Sequence, residues 1–249
     1  MKQYILEACV DSTESAVIAT EAGANRLELC SNLMIGGTTP SIALYKQVRK
    51  KCNNRIHVLI RPRFGDFCYT EDELTIMCEE IRIFKELGAD GVVIGALSPD
   101  GNIDWEAMGR MTTAAEGMWI TLHRAFDMCK DPYKELESCI QHGVAGILTS
   151  GQENNCLDGV ECLKRLVEAA DNRIQILVGG GVSSDVIGKV YGMTGAAAYH
   201  MSGKEELDSK MIYRKDNVYM GLDGLSEYTI WRTKRENIAD AVSILETLL

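Results

Sequence analysis

At 249 residues and 46% hydrophobic content, the chain can bury a sizeable core as a single domain spanning 1–249. Its formal net charge of -10 argues against a nucleic-acid or anionic-membrane surface, either of which needs a clustered excess of Lys and Arg. No apolar run approaches the ~20 residues that cross a bilayer, and MKQYILEACVDS reaches charged residues too early for a signal peptide, so a cytoplasmic protein is expected.

The first strand is predicted over 4–9 and the second over 25–30. Side chains at i and i+2 of a strand share a face, so Glu7 and Cys9 point one way, as do Arg26, Glu28 and Cys30. Leu6, Ala8, Leu27 and Leu29 point the other way, towards covering helices. The charged face must then look into the middle of the sheet, where unpaired charge is expensive. Further strands are predicted over 56–61, 90–95, 118–123, 145–149, 174–178 and 196–200. Between them lie amphipathic stretches such as SAVIATEAG, ELTIMCEEIRIFKELG and GVECLKRLVEAA, several closing on Gly as helix C-termini do. Eight alternations of strand and helix predict a closed (β/α)8 TIM barrel, with a doubly wound open sheet as the alternative. No G-x-G-x-x-G follows the first strand, which counts against a dinucleotide-binding version.

The stretch 201–233 has weak periodicity and breaks the repeat before a last helix over 234–248. Its length and aromatic content predict an ordered extension after strand eight, covering the barrel or forming an interface.

A barrel carries its chemistry at the C-terminal ends of its strands. Arg26, Arg61, Arg63 and Arg124 gather there in an acidic protein, which suits a small anionic ligand bearing a carboxylate or phosphate; the competing reading is an ion-pair network with Glu7, Glu28, Asp66 and Asp127. Gly180 and Gly181 after strand seven offer bare backbone N–H groups for such an anion, although a glycine run also makes a plain tight turn. Asp127, Ser150 and His200 complete the polar residues expected at these ends. For proton transfer the candidates are Glu7, Glu28 and His123, since a half-desolvated carboxylate drifts towards neutral pKa and a histidine starts there. The absence of a lysine at any predicted strand end argues against Schiff-base chemistry, and four histidines without an H-x-H or H-E-x-x-H pair argue against zinc hydrolysis.

Nine cysteines without a C-x-x-C pair read as free thiols in a reducing compartment, and most read as small buried hydrophobes. Cys9 and Cys30 differ, because each ends a strand on the inward face. Neighbouring strands run ~4.8 Å apart, so these sulfurs can meet over a soft metal ion such as Cu(I), with Met or His as a third ligand; two ordinary buried thiols are the alternative.

The stretches LEACVDSTESA, GANRLELCSNLMIGGTTPS, IRPRFGDFCYTEDE, TLHRAFDM, ILTSGQ and VGGGVS, in that order, resemble the CutC family, named for copper homeostasis. The resemblance runs over almost the whole chain, through MIYR and SEYT. It implies a (β/α)8 barrel, a cytoplasmic homodimer, and Cu(I) handling, with Cys9 and Cys30 matching the two cysteines proposed as copper ligands in relatives. An enzyme using acid–base chemistry on a small, possibly phosphorylated metabolite remains the alternative function. The chain departs from the family pattern at Phe64, where RPRGGDF is usual, and at Met201, where a small residue or cysteine is usual.

Overall fold

The computed structural model describes residues 4–215, 217–218, 220–221 and 224–249. In chain order the elements are β1 (Ile5–Val10), α1 (Thr13–Glu21), β2 (Arg26–Leu29), α2 (Ile42–Lys51), β3 (Arg55–Leu59), α3 (Glu71–Glu86) and β4 (Gly91–Ile94). They continue with α4 (Trp105–Ala114), β5 (Trp119–Leu122), α5 (Pro132–Gln141), β6 (Gly146–Thr149), α6 (Val160–Ala170), β7 (Gln175–Val178), α7 (Ser184–Thr194) and β8 (Ala198–Met201). A two-stranded hairpin of β9 (Lys204–Asp208) and β10 (Thr229–Thr233) precedes α8 (Arg235–Leu248).

Strands β1 to β8 form a closed barrel, each parallel to its neighbours, with β8 returning to pair with β1. The (β/α)8 expectation holds, and the open sheet is ruled out by that last pairing. Local chemistry starts the helices where the sequence allows: Ser12, Ser41, Thr70, Asp104, Asp131 and Ser183 each cap a helix through a side-chain oxygen. Each cap is worth ~1 kcal/mol. At α3 the cap is reciprocal, because Glu73 bonds back to the Thr70 N–H.

The register separates two environments. Leu6, Ala8, Leu27, Leu29, Ile56, Val58, Val92 and Ile94 face outward and merge with the helices into the main apolar layer. The inward set is small and mixed: Cys9, Cys30, Leu59 and Val93 on one wall, Leu148, Leu177 and Ala198 on another. Glu7, Arg26, Glu28, His57, Thr121 and His123 are buried with them. Among the described residues no helix is long and apolar enough to cross a membrane.

The extension after strand eight is ordered at its base, where sequence periodicity gave no strands. Lys204 to Asp208 pair antiparallel with Thr229 to Thr233. The pair is anchored on α1, by the Thr233 N–H donating to Ser15 Oγ at 3.1 Å and by the Arg232–Glu14 ion pair. Periodicity misses this hairpin because its strands lie at the surface, so no buried face imposes alternation.

Candidate functional site at the barrel mouth

The lower half of the barrel interior is a charged plug. Arg26 donates Nε to Glu7 at 2.5 Å and Nη1 across the barrel to Gln175 of β7 at 3.0 Å, with its guanidinium over the Trp119 ring. Glu7 accepts in turn from His200 Nδ1 at 2.8 Å, and His57 Nδ1 stands 3.7 Å from it. Burial alone would raise the Glu7 carboxyl, but Arg26 and His200 overcome it and hold the group below the ordinary carboxylate range. His57 goes the other way, lowered to about 4 by burial, and stays neutral. Glu7 is fully buried and engaged by residues of three other strands, Arg26, His57 and His200.

Above the plug lies a cavity of about 350 Å³ at the C-terminal ends of the strands. Glu28, Cys9 and His200 all form part of its lining. One ligand atom each from Cys9, Glu28 and His200 lies within 4.8 Å of the others. The Cys9 and Cys30 sulfurs are 3.8 Å apart, with Cys9 Sγ 3.4 Å from Glu28 Oε1. Contact with Cys30, then burial and Glu28, push the Cys9 thiol well above its usual range. Burial and the Glu7 charge raise the Glu28 carboxyl against the pull of His200. His200, although desolvated, is held protonated by Glu28 and Glu7. Arg26 and His200 thus balance two carboxylates inside the barrel. Cys9 lines the cavity, whereas Cys30 is sealed behind it in an apolar collar of Leu33, Leu59 and Val93.

The other expected residues divide by position. His123, Arg61 and Arg124 line the cavity, as do Gly180 and Gly181. His123 fits because glycine follows β4 at position 95: a Cβ there would sit 2.5 Å from the imidazole Cε1. Its Nδ1 accepts the Ala125 N–H at 3.1 Å, so the proton resides on Nε2; burial and then Arg61 lower its pKa to about 3. Asp127 and Ser150 lie just behind the wall. Asp127 takes Thr149 Oγ1, the Ser150 and Gln152 N–H groups and Arg124 Nε, so it shapes the end of β6 and aims Arg124. Arg63 does not reach the cavity; it pairs with Glu73 and Asp66 on the surface side of the loop after β3. Of the departures from the family pattern, Met201 lines the cavity, while Phe64 is an exposed loop residue.

Two participants escaped the sequence reading. His57 sits between Ile56 and Val58, which face outward, so strand alternation alone places it inside. Lys204 opens β9 and lines the cavity with its ammonium 4.1 Å from the Trp231 ring, a position no barrel-strand pattern signals.

The CutC family model matches residues 4–205, four fifths of the chain and every strand of the barrel. The chain belongs to the CutC family. Among its relatives, a CutC family protein of Histophilus somni is 43% identical over 94% of this chain and 96% of its own length. The human copper homeostasis protein cutC homolog is 39% identical over 99% of this chain and 90% of its own length. The solved structure of the copper homeostasis protein CutC from Streptococcus agalactiae is 34% identical and superposes with a TM-score of 0.76, covering 80% of this chain and 99% of that one. The barrel and the CutC membership expected from the sequence motifs therefore stand.

Proposed function

We propose that this CutC-family chain serves copper homeostasis by binding Cu(I) in the cytoplasm through the thiolates of Cys9 and Cys30. The observation that carries the reading is the 3.8 Å separation of the two sulfurs. Two thiolates bonded at ~2.3 Å to one ion, ~120° apart, lie ~4.0 Å from each other, which is the spacing of a trigonal site. Soft sulfur donors favour Cu(I), and His200 and Glu28 gather within 4.8 Å of Cys9, the thiol that lines the cavity. Both thiols shed their protons as metal enters, and the apolar collar keeps water from the bonds. Nine free cysteines suit a reducing compartment.

An anaerobic Cu(I) competition titration tests this. Wild type is expected to bind one equivalent tightly, and the Cys9→Ser, Cys30→Ser double variant to lose that site while keeping its circular dichroism. Undiminished binding in the folded double variant would sink the reading.

A second reading, an enzyme moving protons on a small anionic metabolite, is favoured by the size of the cavity. A volume of about 350 Å³ is in the range of small-molecule sites and far beyond one metal ion. Glu28, which lines the cavity and whose Oε2 has no hydrogen-bond partner among the described residues, is then the proton-moving group, with His200 Nδ1 3.9 Å from that oxygen.

Self-association as a homodimer is supported by the arm between β9 and β10. Met211, Ile212 and Tyr213 are exposed there, Ile212 almost completely at 98%, and such apolar clusters mark interaction surfaces. Replacing 210–227 by an Asn-Gly turn joins the paired ends at Ser209 and Tyr228. The shortened chain is expected to sediment as a monomer; an oligomer unchanged from wild type would remove the arm from the interface.

A further inference from the structure

Two of the side chains that line the cavity carry a buried hydrogen-bond donor left without an acceptor. His123 is 5% exposed and Arg61 7% exposed, yet His123 Nε2 and Arg61 Nε have no partner among the described residues. Phe67 packs against both, its ring 4.9 Å from the imidazole and 5.1 Å from the guanidinium. The rest of Arg61 is fixed by the carbonyls of Ile35, Gly37 and Gly65, so its free Nε–H is held in place rather than searching. A neutral imidazole with its proton on Nε2 is a donor, as is guanidinium Nε, and a buried donor left without an acceptor in a residue that lines a cavity calls for an oxygen atom.

A second set begins at the next residue of the chain after His123, which lines the same cavity. The guanidinium of Arg124 lies against Gly180, where a Cβ would come 3.6 Å from Cζ. Asp127, Ser150 Oγ and the Glu153 carbonyl hold Nε and one Nη, which leaves the other Nη without a partner among the described residues. Gly180 and Gly181, at φ +86° and +74°, turn the chain into α7, and the N–H groups of Gly180, Gly181 and Val182 have no acceptor among the described residues. Guanidinium plus converging backbone N–H groups at a helix start is an arrangement for a carboxylate or phosphate.

We propose that this cavity binds a small organic anion carrying a second oxygen function, an oxo- or hydroxy-acid or its phosphate ester. The anionic group sits at Arg124 and the Gly180–Val182 amides, and a carbonyl or hydroxyl oxygen is received by His123 Nε2–H. This deepens the second reading above by naming its substrate class, and it rests on that reading for the use made of the ligand; binding itself requires neither copper nor a reaction.

The test is titration of the full-length protein with inorganic phosphate, acetate, pyruvate and dihydroxyacetone phosphate, following the amide resonances of Gly180 and Gly181 by NMR. The bifunctional probe of each pair, pyruvate over acetate and dihydroxyacetone phosphate over phosphate, is expected to bind ~10-fold tighter, as one added hydrogen-bonded group allows. Whichever pair saturates first identifies the anionic group as carboxylate or phosphate. Arg124→Gln is expected to weaken every probe, and His123→Phe to erase only the advantage of the bifunctional ones. Should Arg124→Gln disturb the loop, the wild-type amide shifts and His123→Phe still decide. Absence of saturable shifts at Gly180 and Gly181 up to about 50 mM, beyond the range of even a weak site, would overturn the proposal, as would binding indifferent to both substitutions. Saturable binding without turnover removes the enzymatic reading and leaves the site standing.

Discussion

Arg26→Met is expected to destabilise the protein by ~3–5 kcal/mol, the cost of leaving one partner of a buried ion pair alone. Arg26 is 3% exposed and Glu7 0%, so no solvent reaches the carboxylate, which keeps only His200 and shares that cation with Glu28. The same substitution also strips Gln175 of its donor and Trp119 of its cation. For a chain of this size a loss of that order lowers Tm by about 10 °C or more, readable in a thermal melt followed by circular dichroism. The partner experiment is Arg26→Met with Glu7→Gln, which removes both charges and is expected to recover much of the loss, because the penalty comes from desolvating one unpaired ion. If the double variant is as unstable as the single, the plug is held by shape and not by charge balance.

Mild acid is expected to unfold the barrel through its two neutral histidines. Burial lowers His57 to about 4 and His123 to about 3, against ~6.5 in the unfolded chain. Folded values below unfolded ones mean that stability is complete above ~6.5 and drains as pH falls towards the folded values, since only the unfolded chain takes up protons in that window. Two such groups give a slope of up to ~2.7 kcal/mol per pH unit, against a typical total of ~5–15 kcal/mol. His200 has the opposite sign: its folded value is raised, so its contribution persists in acid and is lost as pH climbs through that elevated value. Glu7, lowered in the fold, gives up its share only below the ordinary carboxylate range. Urea midpoints measured at pH 7, 6 and 5 should fall steeply, and His123→Gln should flatten the slope by about half. Equal midpoints at pH 7 and pH 5 would mean that both imidazoles are already charged in the folded protein.

The fold was legible because parallel strands buried on one face by helices must alternate when their other face carries chemistry. Glu7 and Cys9, then Arg26, Glu28 and Cys30, announce an inward polar register by interrupting runs of Leu and Ala, and the barrel puts them there. His57 obeys the same alternation and was readable in principle from R-I-H-V-L. What alternation cannot give is direction outside the strands. Arg63 stands two residues from Arg61 in sequence, yet Glu73 on α3 draws it to the surface while loop carbonyls draw Arg61 inward. Lys204 enters the cavity because the β9–β10 hairpin folds back on α1, a contact between residues over two hundred positions apart. The division between Cys9, open to the cavity, and Cys30, sealed behind it, likewise depends on the collar of side chains from three other strands and loops.

The charged plug also sets the traffic. A second hollow, lined by Ile5, Trp119, Gln175 and Ala198, opens at the opposite end of the barrel, and the Glu7–Arg26–His57 layer stands between it and the mouth. The mouth cavity is therefore a cul-de-sac. Anything that reaches Cys9 passes the Arg124 and Lys204 rim on its way in and must pass it again to leave, so two occupants depart in the reverse order of their arrival.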